Sequence, residues 1–172
     1  MKDKIKKQLL KISLTLGGIV LIAQHYLVIN NSPSLPEGLY LKTWETPQKG
    51  DIVLVSPPDS PAFREALKKQ FLSPGLTRAG TGYLIKKLVA TGRGGDKVSI
   101  SPDGIRVNGD LLADSRRQPI SFTHTCSAWD GPVPPGYVLL YAPHSWSFDS
   151  RYFGLLSEEV IVTPIIPLIT RD

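Results

Sequence analysis

Residues Leu9 to Ile29 form a run of 21 positions that is apolar except for Lys11, a few Ser and Thr, and Gln24-His25 near its end. A helix needs roughly 20 such residues to cross a bilayer, so this run reads as a membrane anchor. The 172 residues then divide into a basic tail over 1–8, an anchor over 9–29 and a single soluble domain of ordinary size over 30–172. The first 11 residues hold five lysines against one aspartate, +4 of the chain's +5. Only +1 is left for the rest, so no basic patch calls for a nucleic-acid partner, and the charge reads as a topology determinant. The lysine asymmetry predicts a cytoplasmic tail and residues 31–172 outside, with Lys11 snorkelling to the inner headgroups of the lipid. A cleavable secretory signal is the alternative. It normally ends in a small-x-small site, and His25-Tyr26-Leu27-Val28-Ile29 offers none, which favours an uncleaved anchor.

Beyond the anchor, 15 Gly and 15 Pro in the chain break it into short apolar runs rich in Val, Ile, Leu and Tyr, the punctuation of β structure. Strands are predicted over residues 38–43, 51–56, 82–90, 97–101, 104–108, 136–141 and 159–163. Pro102-Asp103-Gly104 and Asn108-Gly109 mark tight turns, making 97–112 a small meander. One helical insert is expected, with Ser60 as cap, Pro61 in the first turn and Phe63, Ala66, Leu67 and Phe71 at helical spacing before Pro74-Gly75. The fold class is therefore mostly β, antiparallel sheets with a short helical insert behind one transmembrane helix. Cys126 is the only cysteine, which rules out an intrachain disulfide. His25, His124 and His144 have no metal-ligand spacing, so neither a metal nor another cofactor is expected.

Two local patterns carry chemistry. Asn30-Asn31-Ser32-Pro33-Ser34-Leu35-Pro36-Glu37-Gly38-Leu39-Tyr40 puts serines in a stiff, Pro- and Gly-punctuated turn directly after the anchor. Tyr83-Leu84-Ile85-Lys86-Lys87-Leu88-Val89 places lysine in an apolar strand, where desolvation favours the neutral amine and so a base for serine. Strand parity does not choose between Lys86 and Lys87, because both faces are apolar. A serine in such a turn is ordinarily a turn residue, and a lysine among strand apolars ordinarily snorkels at an edge.

A third block, Ser147-Phe148-Asp149-Ser150-Arg151-Tyr152-Phe153-Gly154, follows the other two. In that order the three resemble the bacterial type I signal peptidases, the membrane-bound serine/lysine family. The fit is with the conjugative-transfer, TraF-type branch, which carries Ser-x-Pro-x-Gly-Leu-Tyr where the housekeeping enzymes carry Ser-Met-x-Pro-Thr; here it reads Ser34-Leu35-Pro36-Glu37-Gly38-Leu39-Tyr40. The housekeeping segment Gly-Asp-Asn-x-x-Asn is replaced by Tyr141-Ala142-Pro143-His144-Ser145-Trp146. The resemblance implies Ser34 as nucleophile, Lys86 as general base, Ser32 as an oxyanion-hole hydroxyl, Ser147 as the serine that orients the lysine, and Asp149 with Arg151 as structural support. It further implies a serine endopeptidase at the outer face of the bacterial inner membrane that cleaves an exported precursor, a conjugative pilin. The acyl-enzyme would be a branch point between release by water and ring closure by the pilin's own amine. Two other readings share features. An inactive anchored scaffold of a conjugation or secretion apparatus would have the same fold, and a self-cleaving repressor uses serine and lysine but needs a DNA-reading module that residues 1–29 cannot supply.

Overall fold

The computed structural model describes residues 2–126 and 128–171. Helix α1 (Lys2–Tyr26) leads into β1 (Leu27–Asn30), β2 (Glu37–Lys42), β3 (Ile52–Val55), α2 (Pro61–Lys68) and β4 (Leu84–Thr91). Then come β5 (Lys97–Ser101), β6 (Gly104–Val107), β7 (Asp110–Leu111), β8 (Trp129–Pro132), β9 (Tyr137–Tyr141), α3 (Ser150–Phe153), β10 (Leu156–Ser157) and β11 (Ile161–Arg171). Among the described residues every strand pair is antiparallel. One sheet of seven strands runs β1-β2-β11-β3-β4-β9-β10, and one of four runs β7-β6-β5-β8. The mostly β expectation holds.

The apolar run does not stay helical to its end. α1 stops at Tyr26, and Leu27, Val28 and Ile29, expected in the anchor, form β1 and pair with Leu41, Tyr40 and Leu39. β-branched Val and Ile fit a pleated surface better than a helix, and an open partner strand is available. Lys4–Tyr26 is long and apolar enough to cross a membrane by length and composition. Leu9, Leu10, Leu14 and Leu16 are all exposed along it. At its exit Lys42 Nζ donates to the Gln24 carbonyl at 2.8 Å, and His25 stacks on Trp44 at 4.9 Å between ring centroids.

β11 is twice as long as residues 159–163 suggested. Glu158–Val160 is a single 3-10 turn, and the strand continues through Pro164 and Pro167. Proline argues against a central strand because it lacks a ladder donor. Here the pairing to β3 ends at Ile165, and the ladder to β2 slips between Pro167 and Ile169, so the missing donor at 167 falls at an irregularity. The meander is as expected: Asn108 (φ 53°) and Gly109 (φ 98°) make the turn between β6 and β7 with both residues left-handed. Its sheet closes over Ala90, Val98, Ile100, Ile105 and Leu139. Helix α2 buries Phe63 and Ala66, as its spacing predicts, but Ser60 makes no side-chain cap bond, and Phe71 lies beyond the helix end. Phe71 still joins the aromatic cluster beneath it, 5.1 Å from Phe122, which in turn lies 5.5 Å from Phe148.

Candidate active site

Ser34 sits at the tip of the β1–β2 hairpin, whose last pair is Asn30↔Gly38. The tip is held by side chains rather than by a regular turn. Asn30 is buried, its Nδ2 lies 2.9–3.0 Å from the carbonyl oxygens of Ser32, Leu35 and Pro36, and its Oδ1 accepts from Ser32 N at 3.0 Å. Tyr40, fully buried, donates its hydroxyl to the Pro36 carbonyl at 2.6 Å. Leu35 inserts into the core beside Tyr40, Leu54 and Ile85, leaving half-buried Ser34 at the surface. Gly38 carries φ +147°, and a Cβ there would lie 2.0 Å from the Ile169 carbonyl oxygen, so β11 crosses it at a distance only glycine permits. The Gly and Tyr of the Ser-x-Pro-x-Gly-Leu-Tyr pattern thus have physical reasons. Sequence reasoning gave no role to Asn30; its one signal was that Asn readily bonds the backbone two residues on.

Ser32 Oγ lies 3.3 Å from Ser34 Oγ and accepts from Ser34 N at 3.4 Å. Both contacts are long and therefore weak. They leave a hydroxyl and an amide side by side, the donor set an oxyanion requires.

The structure separates the two lysines that parity could not. Lys86 stands opposite Val53 of β3 and is 3% exposed, whereas Lys87, between Ile52 and Tyr141, is only half-buried. Lys86 Nζ donates to Ser147 Oγ at 2.8 Å. Burial pushes its pKa down from 10.5 to about 8, with Asp149 opposing and Arg151 adding to the fall. About a tenth of the amine is then neutral at pH 7 and half at pH 8, the form a base requires.

Ser147 is placed by the loop after β9. Its amide bonds the His144 carbonyl at 2.9 Å, and that loop is shaped by Arg151, which is wholly buried. Arg151 donates to the carbonyls of Ala142, His144 and Ser145, and to that of Asp114, over 2.6–3.2 Å. Asp149 meets the guanidinium at both oxygens, 2.8 Å to Nε and 2.7 Å to Nη2, accepts from Ala142 N, and caps α3 through Arg151 N. An ion pair with 0% exposure on both sides is tolerable because nearly every donor and acceptor on it is used. The segment that departs from the housekeeping pattern thus has three of its carbonyls, those of Ala142, His144 and Ser145, held by one arginine.

Ser32, Ser34 and Lys86 line one cleft of about 470 Å³, walled by Phe71, Leu72, Tyr83, Trp146 and Phe148. Among the described residues no hydrogen bond joins Ser34 to Lys86. Among the described residues β1 pairs with β2 alone, and β4 pairs with β9 from Lys87 onward, so Leu27–Asn30 and Leu84–Lys86 each show a free edge. Val28 to Asn30 and Leu84 to Lys86 both line this cleft, an arrangement suited to a chain in extended form between two strands. All six residues singled out in the sequence occupy this cleft or its support; none lies elsewhere.

Residues 2–166 match the family model described as "Signal peptidase, peptidase S26". The plasmid transfer protein TraF of Escherichia coli is 35% identical over 149 residues, covering 83% of this chain and 82% of that protein. A probable conjugal transfer protein TraF of Sinorhizobium fredii is 38% identical over 133 residues, covering 73% and 68%. A signal peptidase I from Enterococcus faecalis, of known crystal structure, aligns with TM-score 0.39 and 18% identity over 71% of this chain and 98% of that one. The chain belongs to the S26 signal peptidase family, and its similarity to conjugal transfer proteins recurs across several bacteria.

Proposed function

We propose that the chain is an active, membrane-anchored serine endopeptidase that cleaves an exported precursor, a conjugative pilin, with Ser34 as nucleophile and Lys86 as general base. One observation carries this reading: a lysine with 3% exposure and a pKa lowered to about 8 lines the same cleft as a serine on a braced loop. A purely structural lysine gains nothing from such burial, since desolvation of the ammonium costs stability.

In the proposed mechanism the precursor lies extended between the free edges of β1 and β4. Substrate closes the gap between Ser34 and Lys86, the neutral amine takes the hydroxyl proton, and Ser34 Oγ attacks the carbonyl. Ser34 N–H and the Ser32 hydroxyl turn to the oxyanion. The Lys86 ammonium, held by Ser147, returns its proton to the leaving amine, and the acyl-enzyme passes its acyl group to water or to an amine of the pilin itself.

The precursor reaches this cleft from the membrane. Before its exit at Gln24 and His25, α1 exposes Leu9, Leu10, Leu14 and Leu16, as a helix in lipid does. The lysines at its start favour a cytoplasmic amino terminus and a catalytic domain on the extracytoplasmic side of the inner membrane. Co-expression with conjugative pilin precursors, read by mass spectrometry of new termini, tests the proposal. Ser34-dependent cleavage is expected. Processing that survives Ser34→Ala, or none with the unmodified chain, supports an inert scaffold instead.

A further inference from the structure

Ser34 is reached by a second cleft, of about 390 Å³, lined by Pro33, Ser34, Leu35, Pro36, Glu37, Pro143 and Arg171. Lys86, Ser32 and the two free strand edges line the first cleft and not this one, so Pro33 and Ser34 form the ridge between the two. An extended chain held by those edges, with its scissile carbonyl at Ser34, must continue over that ridge. We infer that the second cleft receives the residues that follow the scissile bond, and that Glu37 and Arg171 read their charge. Among precursors, Glu37 then favours basic residues just after the cleavage point and Arg171 acidic ones. The inference rests on the proposed role of Ser34.

The placement of the two charges is built into the fold. Glu37 and Arg171 are cross-strand partners at the end of the β2–β11 ladder. The glycine-only approach of Gly38 to Ile169 and Thr170 fixes that end of the ladder. Both side chains are exposed, and no ion pair joins Glu37 to any described residue, so its carboxylate can meet a ligand without first breaking a bond. Pro33, Pro36 and Pro143 supply walls with little conformational freedom to lose. Pro143 belongs to the loop that Arg151 holds by its carbonyls on either side, at Ala142 and His144. The wall and the Lys86 support are therefore held by the same side chain.

The test uses the full-length chain in membranes and a conjugative pilin precursor carrying Lys-Lys, Glu-Glu or Ala-Ala at the second and third positions after the scissile bond. New amino termini are counted by mass spectrometry, with Ser34→Ala as control. Glu37→Lys should lower cleavage of the Lys-Lys precursor about fivefold relative to Ala-Ala and raise that of Glu-Glu; Arg171→Glu should do the reverse. Glu37→Gln, a milder change that leaves the strand register undisturbed, should move the ratios the same way by about twofold. Ratios that stay constant in all variants, or an equal loss on all three precursors, overturn the inference while Ser34-dependent cleavage still stands. No cleavage of any precursor by the unmodified chain removes the proposed function and this inference with it.

Discussion

The two halves of the candidate dyad are built in opposite ways. Ser34 sits on a hairpin tip at the surface, positioned by neutral hydrogen bonds from Asn30 and Tyr40 and by contacts of 3.3–3.4 Å to Ser32. Lys86 and Ser147 lie in the interior with 3% and 1% exposure, beside an ion pair with none. The difference follows from the chemistry each must do. A nucleophile has to meet a polymer, so it is accessible and its partners are weak enough to be exchanged. A lysine acts as a base only if water is kept from stabilising its ammonium, so it is enclosed and its neighbours are fixed. Changes on the serine side should therefore appear in rate with little effect on folding, and changes on the lysine side in both.

The largest expected effect tests whether the halves work as one unit. Ser34→Ala and Lys86→Met should each lower precursor cleavage by roughly 10⁴-fold, and the double variant should lose no more than either single one, because residues that act together are strongly non-additive. Lys86→Arg should be as inactive, since a guanidinium stays protonated, while Lys87→Met keeps most activity. An additive double variant, or loss confined to Lys87→Met, would dissolve the pairing and with it the comparison.

On the lysine side the interior ion pair gives the next effect. Arg151→Met leaves Asp149 charged and buried and strips donors from the carbonyls of Asp114, Ala142, His144 and Ser145. Breaking one partner of a buried pair costs about 3–5 kcal/mol. Urea unfolding in detergent should show that loss, whereas Tyr40→Phe on the serine side, which removes one neutral hydrogen bond, should cost about 1 kcal/mol. Equal losses would show that the serine loop is as deeply embedded as the lysine pocket.

Much of this contrast was legible in the sequence, and its gaps have physical causes. The β punctuation, the helical insert and the Asn108-Gly109 turn are local signals, and each produced its element. Choosing Lys86 over Lys87 needed the resemblance to a family, because burial depends on β3 and β9 packing from far along the chain. The strand character of Leu27 to Ile29 was hidden inside an apolar run that a membrane helix explains equally well. β11 continues past Thr163 although Pro164 and Pro167 argue against a strand, and the register slip between Pro167 and Ile169 makes room for the second of them. Asn30 and Gly38 stood in view, but what each touches is set by tertiary contact, the one with a loop carbonyl set and the other with β11.

Removing the lysine charge should reveal what its burial costs. In the folded chain Lys86 titrates near pH 8 rather than 10.5, so between those values the unfolded chain binds more protons and stability rises with pH. Below about pH 8 the folded state carries a strained ammonium, a penalty of order 3 kcal/mol. Lys86→Met should therefore be more stable than the unmodified chain at pH 6–7, and its stability should lose most of its rise between pH 8 and 10. Precursor cleavage by the unmodified chain should climb with pH and level off above about 8. A Lys86→Met chain less stable at pH 6 would mean that the lysine is there to hold the fold.

Ser32→Ala gives the smallest effect and the finest test of the serine half. If Ser32 only pinned the loop, its loss would fall on stability, yet its two contacts, at 3.3 and 3.4 Å, are too long to contribute much. Asn30 and Tyr40 hold the same loop by shorter bonds that the substitution leaves in place. The hydroxyl is free to turn toward an oxyanion, where losing one donor costs ~100-fold in kcat. Ser32→Ala should thus slow precursor cleavage by about that factor with KM little changed, and leave unfolding within about 0.5 kcal/mol of the unmodified chain. A loss carried by KM or by stability would make Ser32 a loop residue and leave the Ser34 amide without its partner.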